Sequence, residues 1–151
     1  MGSAIHANSL ALGGVDVRGM ISLEMIGYFS DEPGSQSLPA PGMSLLYSSR
    51  GDAIVVVGNS SSWWFTRRVK TRMAGASELP VRSINAPAFV PGIDFSDHLN
   101  FWRQGWDAVM ITDTAFYRNP NYHQVTDTPD TLDYERMAQV VTGVYAAITT
   151  L

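Results

Sequence analysis

One carboxylate, Glu24, interrupts a run that is otherwise almost entirely apolar, Met20 to Ile26. An ionised carboxylate in a buried strand is strongly disfavoured unless it is paired, hydrogen-bonded or bound to a cation. Two interpretations follow from the residue alone. Glu24 is either a metal ligand, or a carboxylate that lies at the exposed end of its strand or pairs with an arginine.

A histidine, His123, lies in a polar stretch that follows the apolar segment 108–112. Folds of the α/β class place their ligands in such loops. The chain has no cysteine, so carboxylates and its three histidines are the only side chains left as plausible metal ligands. His123 is therefore a candidate ligand, and an ordinary surface histidine is the alternative. His6, on the first predicted helix, is interpreted as a surface or packing residue.

Three consecutive residues, Ser96, Asp97 and His98, are of the types that form a serine-hydrolase triad. Neighbours in sequence cannot form that converging chain, and the chain has no G-x-S-x-G motif. We expect Ser96 or Asp97 to cap the following helix instead, and a serine hydrolase remains a distant third hypothesis. The tryptophans are interpreted as core or rim aromatics: Trp63, Trp64, Trp102 and Trp106.

The composition is that of a globular domain and excludes several classes of protein. The chain has 151 residues, of which 45% are hydrophobic and 16% charged, so it is not disordered, coiled-coil or fibrous. Ten basic and fourteen acidic residues give a net charge of −4, which predicts neither nucleic acid nor membrane as a partner. Phosphate-loop and dinucleotide-binding motifs are missing, so ATP-driven and nicotinamide chemistry have no support.

The sequence contains no apolar run long enough to span a bilayer, and residues 1–20 lack the features of a signal peptide. We therefore expect a soluble chain. Its compartment is not identified by the sequence.

Helical and strand-like segments alternate along the chain, which predicts an α/β sandwich with a largely parallel or mixed sheet. A long surface loop is predicted over 29–52, with a short strand at 45–47 as an option. Six apolar residues of the last helix form one wide stripe that should face a core: Met137, Val140, Val141, Val144, Tyr145 and Ile148. The predicted helices cover 1–12, 60–73, 96–105 and a segment from about Asp133, and the predicted strands cover 17–28, 53–58, 79–84 and 108–112.

Several motifs, taken in order, resemble the C-terminal half of the zinc-dependent aminopeptidases of peptidase family M28. Relatives in that family include bacterial leucyl aminopeptidases, glutamate carboxypeptidase II and glutaminyl cyclase. The resemblance covers nearly the whole chain and implies a three-layer sandwich with a mixed, mostly parallel sheet that is incomplete here. The motifs that carry it are residues 21–29, 91–98, 108–113, 119–123 and 127–132.

The resemblance implies a site with two zinc ions that acts on peptides with a free N-terminus. Glu24 matches the family's acidic ligand at the end of its strand, and His123 matches its last histidine ligand. Asp97 resembles a supporting residue near the pocket. Tyr117 is a candidate hydrogen-bond donor to a developing oxyanion, although Ile93 occupies the position of the corresponding tyrosine in the leucyl enzymes.

The family's other site residues have no counterpart in residues 1–151, which resemble only the C-terminal portion of a catalytic domain. Missing are a histidine two residues before an aspartate, the bridging aspartate, and the pair of glutamates that supplies the base and a ligand. The first residues are interpreted as a truncation, or alternatively as the remnant of a tag. We therefore expect little activity and weak zinc binding from the isolated chain, together with reduced stability from unpaired strand edges. The alternative is a non-catalytic or degenerate domain that acts as a binding or partner-dependent module.

Overall fold

The two interior strands of the sheet are hydrogen-bonded on both sides and are almost completely buried. The computed structural model describes residues 2–151. In it β4 (Ala108–Thr112) is buried along its whole length, as the sequence predicts. Its neighbours are β1 (Met20–Leu23) and β2 (Ile54–Gly58), and β3 (Val81–Asn85) follows beyond β2.

The sheet order is β1-β4-β2-β3, and two of the three pairings are parallel. β1 pairs with β4 and β2 pairs with β3 in parallel, whereas β2 and β4 run antiparallel. The predicted mixed, mostly parallel sheet is confirmed. Since β1 and β4 are parallel, their carboxyl ends meet at one edge of the sheet, and the residues that follow them lie close together.

Helices cover both faces of the sheet, which confirms the three-layer arrangement. One face packs Val56 and Ile111 against α2 (Trp63–Ala74) and α4 (Tyr134–Thr150). The other face carries α1 (Gly2–Leu12) and α3 (His98–Trp102). Alternate residues of each strand supply the two cores, as the period of two in a strand requires.

β1 differs from its prediction, which expected a longer strand, over 17–28, covered on both faces. The strand ends at Leu23, whose exposed fraction is 48%, because β1 has only one neighbour and lies at the sheet edge. The chain turns away two residues later at Met25, which has a φ of 56°.

The structure differs from two further predictions, the buried stripe of the last helix and the short strand in the long loop. Asp133 caps α4 as expected, accepting a hydrogen bond from the Arg136 amide. Only part of its predicted apolar stripe is buried, because Gly143 and Ala147 complete the inner face where α4 meets α2. Val141, Tyr145 and Ile148 are exposed. The proposed strand at 45–47 is absent from the described residues, and a 3-10 helix, Met43–Leu45, lies there instead.

The tryptophans divide into two pairs. Trp102 is half-buried and donates its indole N–H to the Ala108 carbonyl at 2.9 Å, and Trp106 packs on Phe101. Trp63 and Trp64, in the first turn of α2, are exposed and are not core residues. The prediction for the first helix included Met1, which lies outside the described residues. None of the helices within residues 2–151 is long and apolar enough to cross a membrane.

Candidate metal-ligand site and pocket

Glu24 lies immediately after β1, at the edge of the sheet where β1 and β4 both end. Its amide donates to the Ile111 carbonyl at 3.0 Å, which continues the parallel ladder by one residue. The residue is half-buried. None of the salt bridges found among residues 2–151 involves Glu24, so an arginine partner does not explain it there.

One serine holds an oxygen of the Glu24 carboxylate, and a second serine bonds to the first. The Ser96 hydroxyl donates to Oε2 at 3.0 Å, and the Ser22 hydroxyl lies 2.6 Å from the Ser96 hydroxyl. This chain of hydrogen bonds fixes the orientation of the carboxylate group. Oε1 takes part in none of the side-chain hydrogen bonds found in the described part of the chain. The arrangement leaves one carboxylate oxygen for another partner.

A second carboxylate, Asp113, organises the backbone beside Glu24. It follows β4 directly and is almost completely buried. Its oxygens accept from the amides of Gly27 at 3.1 Å, Tyr28 at 2.8 Å and Ala115 at 2.9 Å. Burial raises the pKa of Asp113, while the backbone hydrogen bonds and the nearby Arg118 guanidinium act in the opposite direction. Asp113 thereby ties the segment after β1 to the segment after β4.

The buried guanidinium of Arg118 joins the same two segments to the long loop. It donates to the carbonyls of Ala53 at 2.8 Å and Tyr28 at 3.2 Å, and to Gln36 Oε1 at 2.9 Å. Burial lowers its pKa to about 10, so it stays protonated at neutral pH. Neither Arg118 nor Asp113 was singled out from the sequence. The available signal was an aspartate directly after a mostly apolar strand.

His123 lies on the loop that follows β4 and is exposed. Its ring stacks on Tyr122, with the ring centroids 4.0 Å apart. Tyr122 and Glu24 line the same pocket. Glu24 therefore lines this pocket, whereas His123 only stacks on a residue that lines it and is not itself among the lining residues.

Backbone strain is concentrated in these two segments. Within residues 2–151, the non-glycine residues with positive φ are Met25 at 56°, Thr114 at 80°, Ala115 at 46° and His123 at 58°. Met25 follows Glu24, and the other three lie on the loop after β4. Such conformations cost free energy and cluster at functional sites in proteins. Their position supports a functional role for the segments that carry Glu24 and His123.

The pocket beside Glu24 has a cavity volume of about 130 Å³ and a mainly apolar lining. Val55, Val57 and Met110 form its floor on the α1 and α3 side of the sheet. Tyr117 forms part of its wall, donates its hydroxyl to the Pro91 carbonyl at 3.3 Å, and has a pKa raised by burial. The hydroxyl is therefore a neutral donor at physiological pH.

The Ser96-Asp97-His98 sequence does not form a catalytic triad. Ser96 bonds to Glu24, whereas the fully buried His98 places Nε2 2.7 Å from the Ile93 carbonyl. Asp97 is exposed and occupies the N-cap position of α3, but its side chain makes no capping hydrogen bond there. The prediction that the Ser96 or Asp97 side chain caps α3 is therefore wrong, because the Ser96 hydroxyl donates to Glu24 and the Asp97 side chain faces solvent.

The surroundings of His98 predict a loss of stability on acidification. A carbonyl must accept, so Nε2 carries the proton, and Nδ1 is buried without a partner. Burial lowers the pKa of His98 below 6.5, although Asp94, Asp97 and Glu24 oppose the shift. The unfolded chain therefore takes up a proton at higher pH than the native chain. We expect the free energy of unfolding to fall as the pH drops through 6.5 towards the lower native pKa.

Urea titrations between about pH 7 and about pH 5 measure this loss. His98→Gln, which keeps a donor for the Ile93 carbonyl, should lose less stability than the wild type over that range. His6→Gln, at an exposed position, is the matched control and should follow the wild type. Parallel pH curves for all three proteins would show that His98 is not responsible.

The donor types of the candidate site suit zinc, but their number does not complete a site. Carboxylate oxygen and imidazole nitrogen are ordinary zinc ligands, and a zinc site takes three or four protein ligands. Residues 2–151 contain no group of three or more histidine, aspartate or glutamate side chains placed to hold a metal ion. Glu24 and His123 fit the chemistry of a zinc site only as part of a larger ligand set.

The sequence comparisons identify one family and a closely similar relative. Residues 2–148 match the family model of peptidase family M28. The uncharacterized protein YfbL of Escherichia coli (strain K12) is 55% identical over 144 residues, which is 95% of this chain and 44% of YfbL. The chain therefore spans less than half the length of this relative.

Solved aminopeptidase structures share the fold at low sequence identity. LapB from Legionella pneumophila has a TM-score of 0.70 at 18% identity, over 98% of this chain and 35% of LapB. The LapA aminopeptidase of the same organism has a TM-score of 0.66 at 17% identity, over 97% of this chain and 34% of LapA. An aminopeptidase from Aneurinibacillus sp. strain AM-1 has a TM-score of 0.58 at 21% identity, over 97% of this chain and 29% of that enzyme. In each of these structures the shared fold is about a third of a longer chain.

Proposed function

Because this chain belongs to peptidase family M28, we propose that it is part of a dinuclear zinc aminopeptidase that hydrolyses the N-terminal peptide bond of peptides. The observation that carries the proposal is the Glu24 carboxylate, which Ser96 holds by one oxygen at the mouth of an apolar pocket. The strained backbone on both sides of that pocket adds support.

Each candidate side chain has a role in this proposal. Glu24 and His123 are ligands to zinc, and Ser96 orients Glu24. Tyr117 offers its neutral hydroxyl to the oxyanion that develops on the scissile carbonyl, in exchange for its hydrogen bond to the Pro91 carbonyl. Asp97 faces solvent next to Ser96, and the supporting role that the resemblance implies for it stays a prediction. The apolar pocket takes the side chain of the N-terminal residue of the substrate, and zinc, when bound, polarises the scissile carbonyl.

The isolated chain should bind zinc weakly, because it supplies too few ligands. In the family the two matching ligands serve different metals, so this chain offers one ligand to each ion. Complete structural zinc sites gain about 10–16 kcal/mol, so a single ligand should give a dissociation constant that is weaker than about micromolar. Glu24→Gln and His123→Gln should each weaken binding by roughly tenfold or more. Calorimetric titration with zinc measures the affinity without requiring activity.

His6→Gln provides the matched control, since it removes an exposed histidine from α1. It should bind zinc as the wild type does. Equal affinity for the wild type, Glu24→Gln and His123→Gln would rule out both residues as ligands. The isolated chain should also release no product from leucine p-nitroanilide above the buffer rate. Chelator-sensitive hydrolysis by the purified chain would show that its own residues complete a site.

A second candidate function, a partner-dependent or non-catalytic module, is favoured by the free edge of β1. In the parallel ladder the amides of Met20 and Glu24 donate towards β4, so the backbone groups of Ile21 and Leu23 point away from it. Such an edge accepts a further strand. To distinguish the two proposed functions, the chain is mixed with a separate polypeptide that carries the family's remaining ligands. Association with peptidase activity supports the catalytic proposal, and association without activity supports the binding module.

A further inference from the structure

The outer face of α2 carries a concentration of positive charge without compensating acidic residues. Its sequence, WWFTRRVKTRMA, includes four basic residues and no acidic one. None of these basic residues takes part in the salt bridges found among residues 2–151. Arg67, Arg68 and Arg72 are exposed, and Lys70 is half-buried at the border of this face.

The net charge of α2 is opposite in sign to that of the rest of the chain. Four of the ten basic residues lie on α2, which leaves six basic and fourteen acidic residues, a formal charge of −8, elsewhere. The net charge of −4 predicted no attraction to anionic surfaces. However, charges are screened over about 8–10 Å at physiological salt, so a surface that contacts α2 responds mainly to the local patch.

Two exposed tryptophans share the face with the arginines. Trp63 and Trp64 are 55% and 58% exposed, and their rings pack edge to face with centroids 5.5 Å apart. Residues four apart lie on the same side of a helix, so Trp63 lies beside Arg67 and Trp64 beside Arg68. The opposite side of α2 is buried in the core, with Phe65, Val69 and Met73 as its inward side chains.

We propose that this outer face of α2 docks on an anionic phospholipid surface. Tryptophan is enriched at the level of lipid headgroups, where its ring is partly apolar and its N–H stays hydrated. Arginine and lysine beside it are attracted to the phosphates of anionic lipids. The helix is about 18 Å long, and its outer face presents both residue types together. The proposal does not depend on the proposed peptidase function.

The position of α2 favours a lipid surface over the other occupants of such a face. α2 packs beside β3, which forms the sheet edge opposite the free edge of β1. A polypeptide that pairs with β1 would therefore lie at the edge of the sheet that is distant from α2.

Vesicle flotation of the 151-residue chain tests the proposal. The chain should bind vesicles that contain phosphatidylglycerol at low salt, bind pure phosphatidylcholine vesicles at least tenfold more weakly, and dissociate at roughly 1 M salt. Binding should shift the tryptophan emission to shorter wavelength. The double variant Arg67→Gln with Arg68→Gln should bind at least roughly tenfold more weakly, and Trp63→Ser with Trp64→Ser should lose the emission shift.

Arg50→Gln with Arg103→Gln is the matched control, because it removes two exposed charges outside α2. It should bind as the wild type does, and circular dichroism verifies that each variant is folded. Three results would overturn the proposal. The first is the absence of binding to phosphatidylglycerol vesicles by the folded wild type, and the second is an equal loss of binding in the two arginine double variants. The third is binding to single-stranded DNA, but not to vesicles, that depends on Arg67 and Arg68.

Discussion

Replacing Asp113 with alanine should lower the free energy of unfolding by about 3–5 kcal/mol, because the substitution breaks a buried charged network. Three backbone amides lose their acceptor at once, those of Gly27, Tyr28 and Ala115. The Arg118 guanidinium also loses a neighbouring negative charge. A buried donor that is left without a partner costs about 1–3 kcal/mol.

Two further variants make the Asp113 result specific. Asp113→Asn keeps an acceptor oxygen and should lose less stability than Asp113→Ala. Asp16→Ala, which removes an exposed carboxylate, should stay within about 0.5 kcal/mol of the wild type. Urea titrations at about pH 7 give all three values. A loss below about 1 kcal/mol for Asp113→Ala would mean that water or a rearranged backbone satisfies the three amides.

Much of the fold could be predicted from the sequence, because its strongest signals are local. Residues 108–111 are apolar without interruption, and a strand with neighbours on both sides and helices on both faces buries all of them. Asp133 marks the start of the last helix by the same local chemistry that caps it in the structure. Periodicity and capping depend on adjacent residues, so they are visible without the tertiary structure.

The sequence predictions of burial fail where contacts with residues distant in the sequence determine which side chains are buried. β1 has the composition of a buried strand, but only one neighbour pairs with it in residues 2–151. The stripe on α4 is continuous in sequence, yet the close approach of α2 at Gly143 selects one part of it for burial. Trp63 and Trp64 are apolar enough for a core, but they lie on the outer side of α2. In each case the neighbour that determines burial is distant in sequence.

In the candidate site, too, residue types could be recognised from the sequence, but the contacts between them could not. Glu24 and His123 stand out in the sequence because a carboxylate interrupts an apolar run and a histidine follows a strand. Ser96 was interpreted as a helix cap, and its hydrogen bond to Glu24, 72 positions away in the chain, could not be read from spacing. Asp113 and Arg118 were missed because their partners are mostly backbone groups. A sequence pattern does not report which amides and carbonyls a side chain will meet.

Arg118→Met should destabilise the chain by about 3–5 kcal/mol, since it removes a buried cation whose partners stay buried. The carbonyls of Ala53 and Tyr28 and the Gln36 side chain each lose a donor. Methionine preserves most of the apolar length of the arginine side chain, so the loss reports the guanidinium rather than a cavity. Arg118→Lys should recover only part of the loss, because an ammonium group cannot reach three acceptors in the planar geometry of a guanidinium.

A double-mutant cycle with Asp113→Ala tests whether the two buried charges act together. Each single variant leaves the other charge uncompensated, so the double variant should lose less stability than the two single variants combined, by about 1–3 kcal/mol. Strict additivity would mean that Asp113 and Arg118 stabilise the backbone independently. If the two charges are coupled, one cooperative network holds the strained segments beside Glu24 and His123. The Asp113→Ala and Arg118→Met variants that remain folded should then bind zinc more weakly than the wild type. This follows because each candidate ligand keeps its position only while the loop that carries it does.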